Sequence, residues 1–161
     1  MQKKIDEFYE KNMQRKNWLA VHLRGADNQE KNESLVDANT DIYPYVDLVM
    51  RKNPNLGIFL VTDSKITIQE FKARYDDILL TKDYYINDNV SQMQSGLSGG
   101  LSNADYFLIE PFLAARCSFF LGRNESNESL AIYDLKKWSN GCAFLMGSKS
   151  VRTRNYLLHA R

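Results

Sequence analysis

Short apolar runs alternate with helical repeats along this chain. Residues 18–23 (WLAVHL), 57–61 (GIFLV), 78–80, 118–121 and 143–146 are largely apolar, without the alternation of a half-wet strand. Strands of that kind are buried on both faces, as in parallel sheets. Between them the period changes to that of a helix. Ile5, Phe8, Tyr9 and Met13 share one helical face. Ile42, Tyr45, Val46, Val49 and Met50 share another, which Thr40 or Asp41 can cap and Asn53-Pro54-Asn55 breaks. Ile66, Ile68, Phe71 and Tyr75 belong to a third, capped by Ser64. Asn103 caps a helix reaching Arg116, with Pro111 kinking it or marking its first turn. Residues 130–138 and the basic tail 150–161 predict two more helices. Residues 28–40 and 83–103 have no periodicity and read as loops. The second, centred on Ser95-Gly96-Leu97-Ser98-Gly99-Gly100, has the length of a functional loop. The alternation predicts an α/β, Rossmann-like parallel sheet with helices on both faces.

Composition narrows the function more than the fold. The 161 residues suit one domain, here 1–161 with its core in 17–146. Lys and Arg number 21 against 20 Asp and Glu, a net charge of +1. Such a chain has no global pull toward nucleic acid or acidic membranes, so any anion it takes must be held locally. No apolar run approaches the roughly 20 residues of a membrane helix. The charged N-terminal stretch lacks a signal peptide's apolar segment, so a bacterial cytoplasmic protein is expected. A piece of a secretory enzyme would instead place it in the Golgi or endoplasmic reticulum lumen. Cys117 and Cys142 form no CxxC pair, and His22 and His159 stand apart, so there is no zinc spacing. Two buried free thiols are expected. Asp-x-Asp is absent, which argues against a metal cofactor.

In folds of this class ligands sit at the carboxyl ends of the strands, so candidate chemistry is expected at the turns 22–27, 62–64, 83–103 and 122–127. In His22-Leu23-Arg24-Gly25-Ala26-Asp27, alternation puts His22 and Arg24 on one face. A guanidinium there can fork two phosphate oxygens, and Gly25 permits close backbone approach. Equally, Arg24 and Asp27 can be a structural pair with His22 merely packed. The stretch 122–129 (GRNESNES) lies between a strand and a helix, where free N–H groups favour an anion. Ser126 or Asn127 is also an ordinary cap there. Glu110 stands among apolar neighbours, either accepting hydrogen bonds from a guanine or marking an exposed helix position. Asp63, at the end of the second strand, suits a ribose, a base or a helix cap. Walker and GxGxxG loops are missing, and no Ser-His-Asp arrangement is suggested.

The order of these stretches, VHLRGAD, FLVTDS, a Ser/Gly loop, then LIEPFLAARCSFFLGRNESNESLA, resembles the donor-binding half of GDP-fucose-dependent fucosyltransferases. The likeness is to the α-1,6 type, including the bacterial nodulation enzymes, and more loosely to the protein O-fucosyltransferases. It spans residues 17–138. The resemblance implies one half of a two-domain GT-B glycosyltransferase that binds a GDP-sugar without a metal. It implies that Arg24 binds the diphosphate and His22 lies beside the nucleotide. Glu110 falls where the family has an Asp that reads guanine, Ser126 and Asn127 in the phosphate turn, and Asp63 at the acidic position of the second motif. Ser95 and Gly96 fall in a loop lining the nucleotide. Asp27 completes the first motif. Gly25 stands where many relatives carry a second Arg. The catalytic base of the α-1,6 type follows the Arg motif, in a neighbourhood holding Glu30, Asn32 and Glu33, of which Glu33 is assigned the role. An inverting displacement follows from the resemblance, with a glycan or protein acceptor held by an N-terminal domain absent from this chain. A non-catalytic domain that kept the fold, or an unrelated flavodoxin-like module, are the competing readings. The Asn-x-Ser sequences at 32, 124 and 127 are expected to be unmodified, since glycans at Asn124 or Asn127 would block the phosphate turn.

Overall fold

The computed structural model describes residues 1–24, 41–81 and 103–147. Helix α1 (Gln2–Asn12) leads to β1 (Trp18–His22). Then come α2 (Tyr43–Lys52), β2 (Gly57–Val61), α3 (Lys65–Tyr75), a 3-10 turn (Asp76–Ile78) and β3 (Leu79–Thr81). Helix α4 (Asn103–Arg116), β4 (Phe119–Arg123), α5 (Asn127–Asp134) and β5 (Ala143–Met146) complete the order. All five strands are parallel, arranged β3-β2-β1-β4-β5. The chain builds outward from β1 to β3, returns to the centre, and builds the other way. Trp18 therefore faces Gly57 on one side of β1, and Leu19 faces Phe119 on the other. The reversal opens a crevice beyond β1 and β4, where doubly wound sheets bind ligands.

Alternation along each strand divides the core in two. Trp18, Ala20, Phe59, Val61 and Phe120 pack with Ile5 and Phe8 of α1, Ile109 and Leu113 of α4, and Ile132 of α5. Leu19, Val21, Ile58, Leu60 and Leu121 pack with Val46 and Val49 of α2 and Ile68 and Phe71 of α3. Truncating a fully buried ring such as Phe59 to alanine would cost about 3–5 kcal/mol. The Trp18 indole N–H donates to the Met13 carbonyl at 2.8 Å, and its ring covers Gly57, leaving no room for a side chain there. Helix α1 is tied to α4 by the Arg116 guanidinium, which pairs with Asp6 and lies over the Tyr9 ring. That pair holds the Asp6 carboxyl below its usual range.

Several element boundaries differ from the sequence expectation. The third strand starts at Leu79, because Asp76–Ile78 close a turn first. Strand β4 continues through Gly122 and Arg123, which stand opposite Leu145 and Met146. Helix α5 starts at Asn127, three residues early, because Ser126 supplies its cap, and it ends at Asp134. Asp41 does not cap α2. Ile42 holds that position without a side-chain bond, and Asp41 turns to Arg123 instead. Both cysteines are free. Cys117 is buried, which pushes its thiol above the ordinary range, but Cys142 is only half-buried. Among the described residues no helix is long and apolar enough to cross a membrane.

Candidate functional site

The carboxyl ends of β1, β2 and β4 meet at one cleft of about 310 Å³, within the size range of small-ligand sites. Strand β1 brings His22 and Arg24 to it. The end of β2 brings Val61, Thr62 and Asp63. Glu110 reaches it from α4, and Ser126, Asn127 and Glu128 from the start of α5. Leu23 continues the sheet by donating its N–H to the Val61 carbonyl at 3.1 Å, and its side chain joins the core under α2 and α3. That leaves His22 and Arg24 on the α4–α5 side.

His22 is 3% exposed and bonded at both ring nitrogens. Nε2 lies 3.1 Å from Glu128 Oε2, and Nδ1 lies 2.6 Å from Ser129 Oγ. A carboxylate only accepts, so Nε2 of the neutral ring carries the proton and Nδ1 accepts from the Ser129 hydroxyl. Ser129 Oγ in turn accepts from the Arg123 backbone N–H at 2.9 Å. Ser129 is fully buried against Gly122, where a Cβ would sit 2.8 Å from its Oγ and 2.6 Å from the Phe120 ring. The missing side chain at Gly122 lets α5 approach the strand closely enough for these bonds. One hydroxyl thus ties β1, β4 and α5 across the topological reversal.

Sequence reasoning found no serine–histidine–acid arrangement, yet Ser129, His22 and Glu128 form a hydrogen-bonded row. It is not a nucleophile. The Ser129 oxygen is wholly enclosed and bonded to a backbone N–H as well as the imidazole. It is instead a brace, since leaving the buried Nδ1 without its partner would carry a desolvation penalty of about 1–3 kcal/mol.

The start of α5 is fixed by Ser126, whose Oγ accepts from the Ser129 N–H at 3.4 Å. On the opposite face Arg123 Nη1 donates to Asp41 Oδ2 at 3.2 Å, while Nη2 lies 3.1 Å from Oδ1 without hydrogen-bond alignment. The Asn124 side-chain nitrogen and oxygen are buried and lack partners. An amide nitrogen in that position has no room for a glycan.

Six residues singled out from sequence therefore share the cleft: His22, Arg24, Asp63, Glu110, Ser126 and Asn127. Glu110 is 2% exposed, which removes the reading of an exposed helix position. Arg24 and Asp63 are exposed at its rim. Asp27, Glu33, Ser95 and Gly96 lie outside the described residues, as do Glu30 and Asn32. Sequence reasoning placed Thr62 in a candidate turn without a role, and missed the roles of Glu128 and Ser129. Ser129 had a signal, standing three residues before Ile132 on the inward face of α5. Among the described residues no group of three His, Cys, Asp or Glu converges to hold a metal.

A second hollow of about 450 Å³ lies between α2 and α3. Its polar groups satisfy one another. The Tyr43 hydroxyl donates to Glu70 at 2.7 Å, the Tyr75 hydroxyl donates to Asp47 at 2.7 Å, and Arg74 lies over the Tyr43 ring. Burial, then the neighbouring carboxylates, pushes both phenols above their ordinary range. The crevice at the reversal is the better candidate, because it lies at the carboxyl ends of the strands, where folds of this class bind ligands, and gathers side chains from three strand ends and two helices.

No protein-family profile matches this chain, and no curated protein sequence does. Solved structures do match. NodZ, an α-1,6-fucosyltransferase co-crystallised with GDP, aligns with a TM-score of 0.53 at 16% identity, over 82% of this chain and 40% of its own. NodZ soaked with GDP-fucose gives 0.51 at 17% identity, over 81% and 40%. The fucosyltransferase NodZ from Bradyrhizobium gives 0.52 at 18%, over 82% and 40%. The chain thus spans about two fifths of the length of these proteins. At such identities the likeness establishes the fold, and this chain shares the parallel α/β, Rossmann-like architecture found in those fucosyltransferases.

Proposed function

We propose that this chain is the nucleotide-sugar-binding domain of an inverting glycosyltransferase, with a GDP-sugar such as GDP-fucose as donor. The observation that carries the reading is the convergence of Arg24, Asp63, Glu110, Ser126 and Asn127 on one crevice at the reversal of the sheet. In this reading Arg24 forks the diphosphate, helped by the N–H groups at the start of α5. The buried Glu110 carboxylate accepts from guanine's N–H groups, and Asp63 accepts from the ribose. His22 lies beside the nucleotide, held by Ser129 and Glu128. The α-1,6-fucosyltransferases crystallised with GDP and GDP-fucose share the fold and so support this choice of ligand.

Transfer would proceed by attack of an acceptor hydroxyl at the anomeric carbon as GDP departs. A carboxylate, assigned to Glu33, takes the hydroxyl proton. Arg24 and the amides of α5 offset the charge growing on the diphosphate, so no metal is needed. Losing one preorganised donor of this kind costs roughly 3 kcal/mol in rate. The acceptor site belongs to a further domain of the whole enzyme.

Calorimetric titration with GDP, ADP and UDP, with and without EDTA, tests the binding. GDP should bind more tightly by about 1–3 kcal/mol, because only guanine offers the N1–H and exocyclic amine that Glu110 is assigned to accept from. EDTA should change nothing. Equal affinity for all three nucleotides would remove the Glu110 assignment, and dependence on magnesium or manganese would reject the mechanism.

A further inference from the structure

Glu128 lines the same crevice, and its placement carries an inference that rests on reading that crevice as a phosphate site. Its Oε2 accepts from the His22 Nε2–H at 3.1 Å. The two partners differ in freedom, since the imidazole is 4% exposed and the Glu128 side chain 40%. The ring is pinned on its far side by Ser129, whereas the carboxylate can swing into solvent. Among the described residues the lining also holds Asp63, Glu110 and Arg24. A phosphate entering beside Ser126 and Asn127 therefore meets the Glu128 carboxylate on the very donor it could use, the His22 Nε2–H.

The geometry points to Glu128 as a resident anion: it occupies the His22 Nε2–H until a ligand phosphate displaces it and takes that hydrogen bond. No bond is made or broken covalently, and the proton stays on Nε2. Glu128 then determines specificity. It weakens binding of bare, highly charged anions, so that a ligand gains occupancy only when its base and sugar add contacts elsewhere in the crevice. This exchange also brings the buried imidazole into contact with the ligand, although in the free protein both its nitrogens are engaged.

The test uses the whole chain and two variants, with inorganic pyrophosphate, GDP and guanosine titrated into each. Glu128→Gln removes the charge and keeps an oxygen that can accept from Nε2–H. Glu128→Ala removes both. Both variants should bind pyrophosphate and GDP about three- to tenfold more tightly, guanosine should not change, and the gain should shrink at high salt. Unchanged or weaker pyrophosphate binding in both variants, or none in any of the three proteins, overturns the proposal and leaves Glu128 as a prop for His22. The underlying reading is judged separately, by the preference of the unaltered chain for GDP over ADP and UDP. If that preference is absent while pyrophosphate binding tightens in the variants, the resident anion stands and the guanine assignment falls. If the preference is present and the variants do not tighten, the reverse holds.

Discussion

Two serines start two helices in the same way, each just after a central parallel strand. Ser64 follows β2 and accepts from the Thr67 N–H at 3.2 Å, and Ser126 follows β4 and accepts from the Ser129 N–H at 3.4 Å. Both third residues are hydroxyl-bearing and buried, Thr67 at 4% and Ser129 at 0% exposure. The turns diverge in what they reach. Ser64 closes on its own neighbourhood, donating its N–H to Thr62 Oγ1 at 3.2 Å. The second turn delivers Ser129 to His22, 107 residues earlier in the chain. One local device serves as a plain helix start in one place and as part of the brace behind the crevice in the other. The difference comes from position in the sheet, since β4 stands beside β1 at the reversal.

Removing the brace is the strongest way to break this contrast. Ser129→Ala should lower the unfolding free energy by about 2–4 kcal/mol, because it strips partners from His22 Nδ1 and the Arg123 N–H inside a dry site. Thr67→Ala, at the equivalent position of α3, should cost about 1 kcal/mol. Urea denaturation of both variants measures the gap, and equal losses would erase the distinction. Arg24→Ala sharpens the contrast from the ligand's side. It should weaken GDP roughly ten- to a hundredfold, the worth of a charged hydrogen bond of about 1.5–3 kcal/mol, with guanosine binding and melting temperature unchanged. A lower melting temperature with parallel losses for both ligands would instead make Arg24 a structural partner of its own turn. The smallest effects belong to the caps. Ser64→Ala and Ser126→Ala should each cost about 1 kcal/mol of stability, yet only the second should also reduce GDP affinity. Identical GDP affinity in the two variants would separate the α5 turn from the ligand.

The strands, the helices and both serine caps are legible in sequence because each is decided within a few residues, by periodicity and by which side chain can reach a nearby N–H. The ends of the strands are legible as candidate chemistry for the same reason, since the fold class says where ligands gather. The order of the strands is not, and the long-range partners that it creates are what local rules miss. Asp41 suits a cap by local rules, but Arg123 arrives from 82 residues away and takes its carboxylate. Glu110 has an undecided environment until α4 is laid beside the crevice, where it is 2% exposed. His22 can be placed beside a ligand or in the packing by local rules, but its bonding cannot be read locally, because both its partners lie beyond residue 127.

Gly122 carries a consequence best put in genetic terms. Every single-base change that puts another residue in place of a glycine adds at least a methyl group, and here that carbon would lie 2.6 Å from the Phe120 ring and 2.8 Å from Ser129 Oγ. The ring has little room to yield, being 1% exposed and stacked on Trp138 at 5.6 Å. The position therefore has no gradual route to change. Arg24, at the rim, can mutate and leave a folded protein with a weakened site. Gly122 touches no ligand in the proposed complex, yet its first mutational step pushes α5 away from β1 and disturbs the brace and the crevice together.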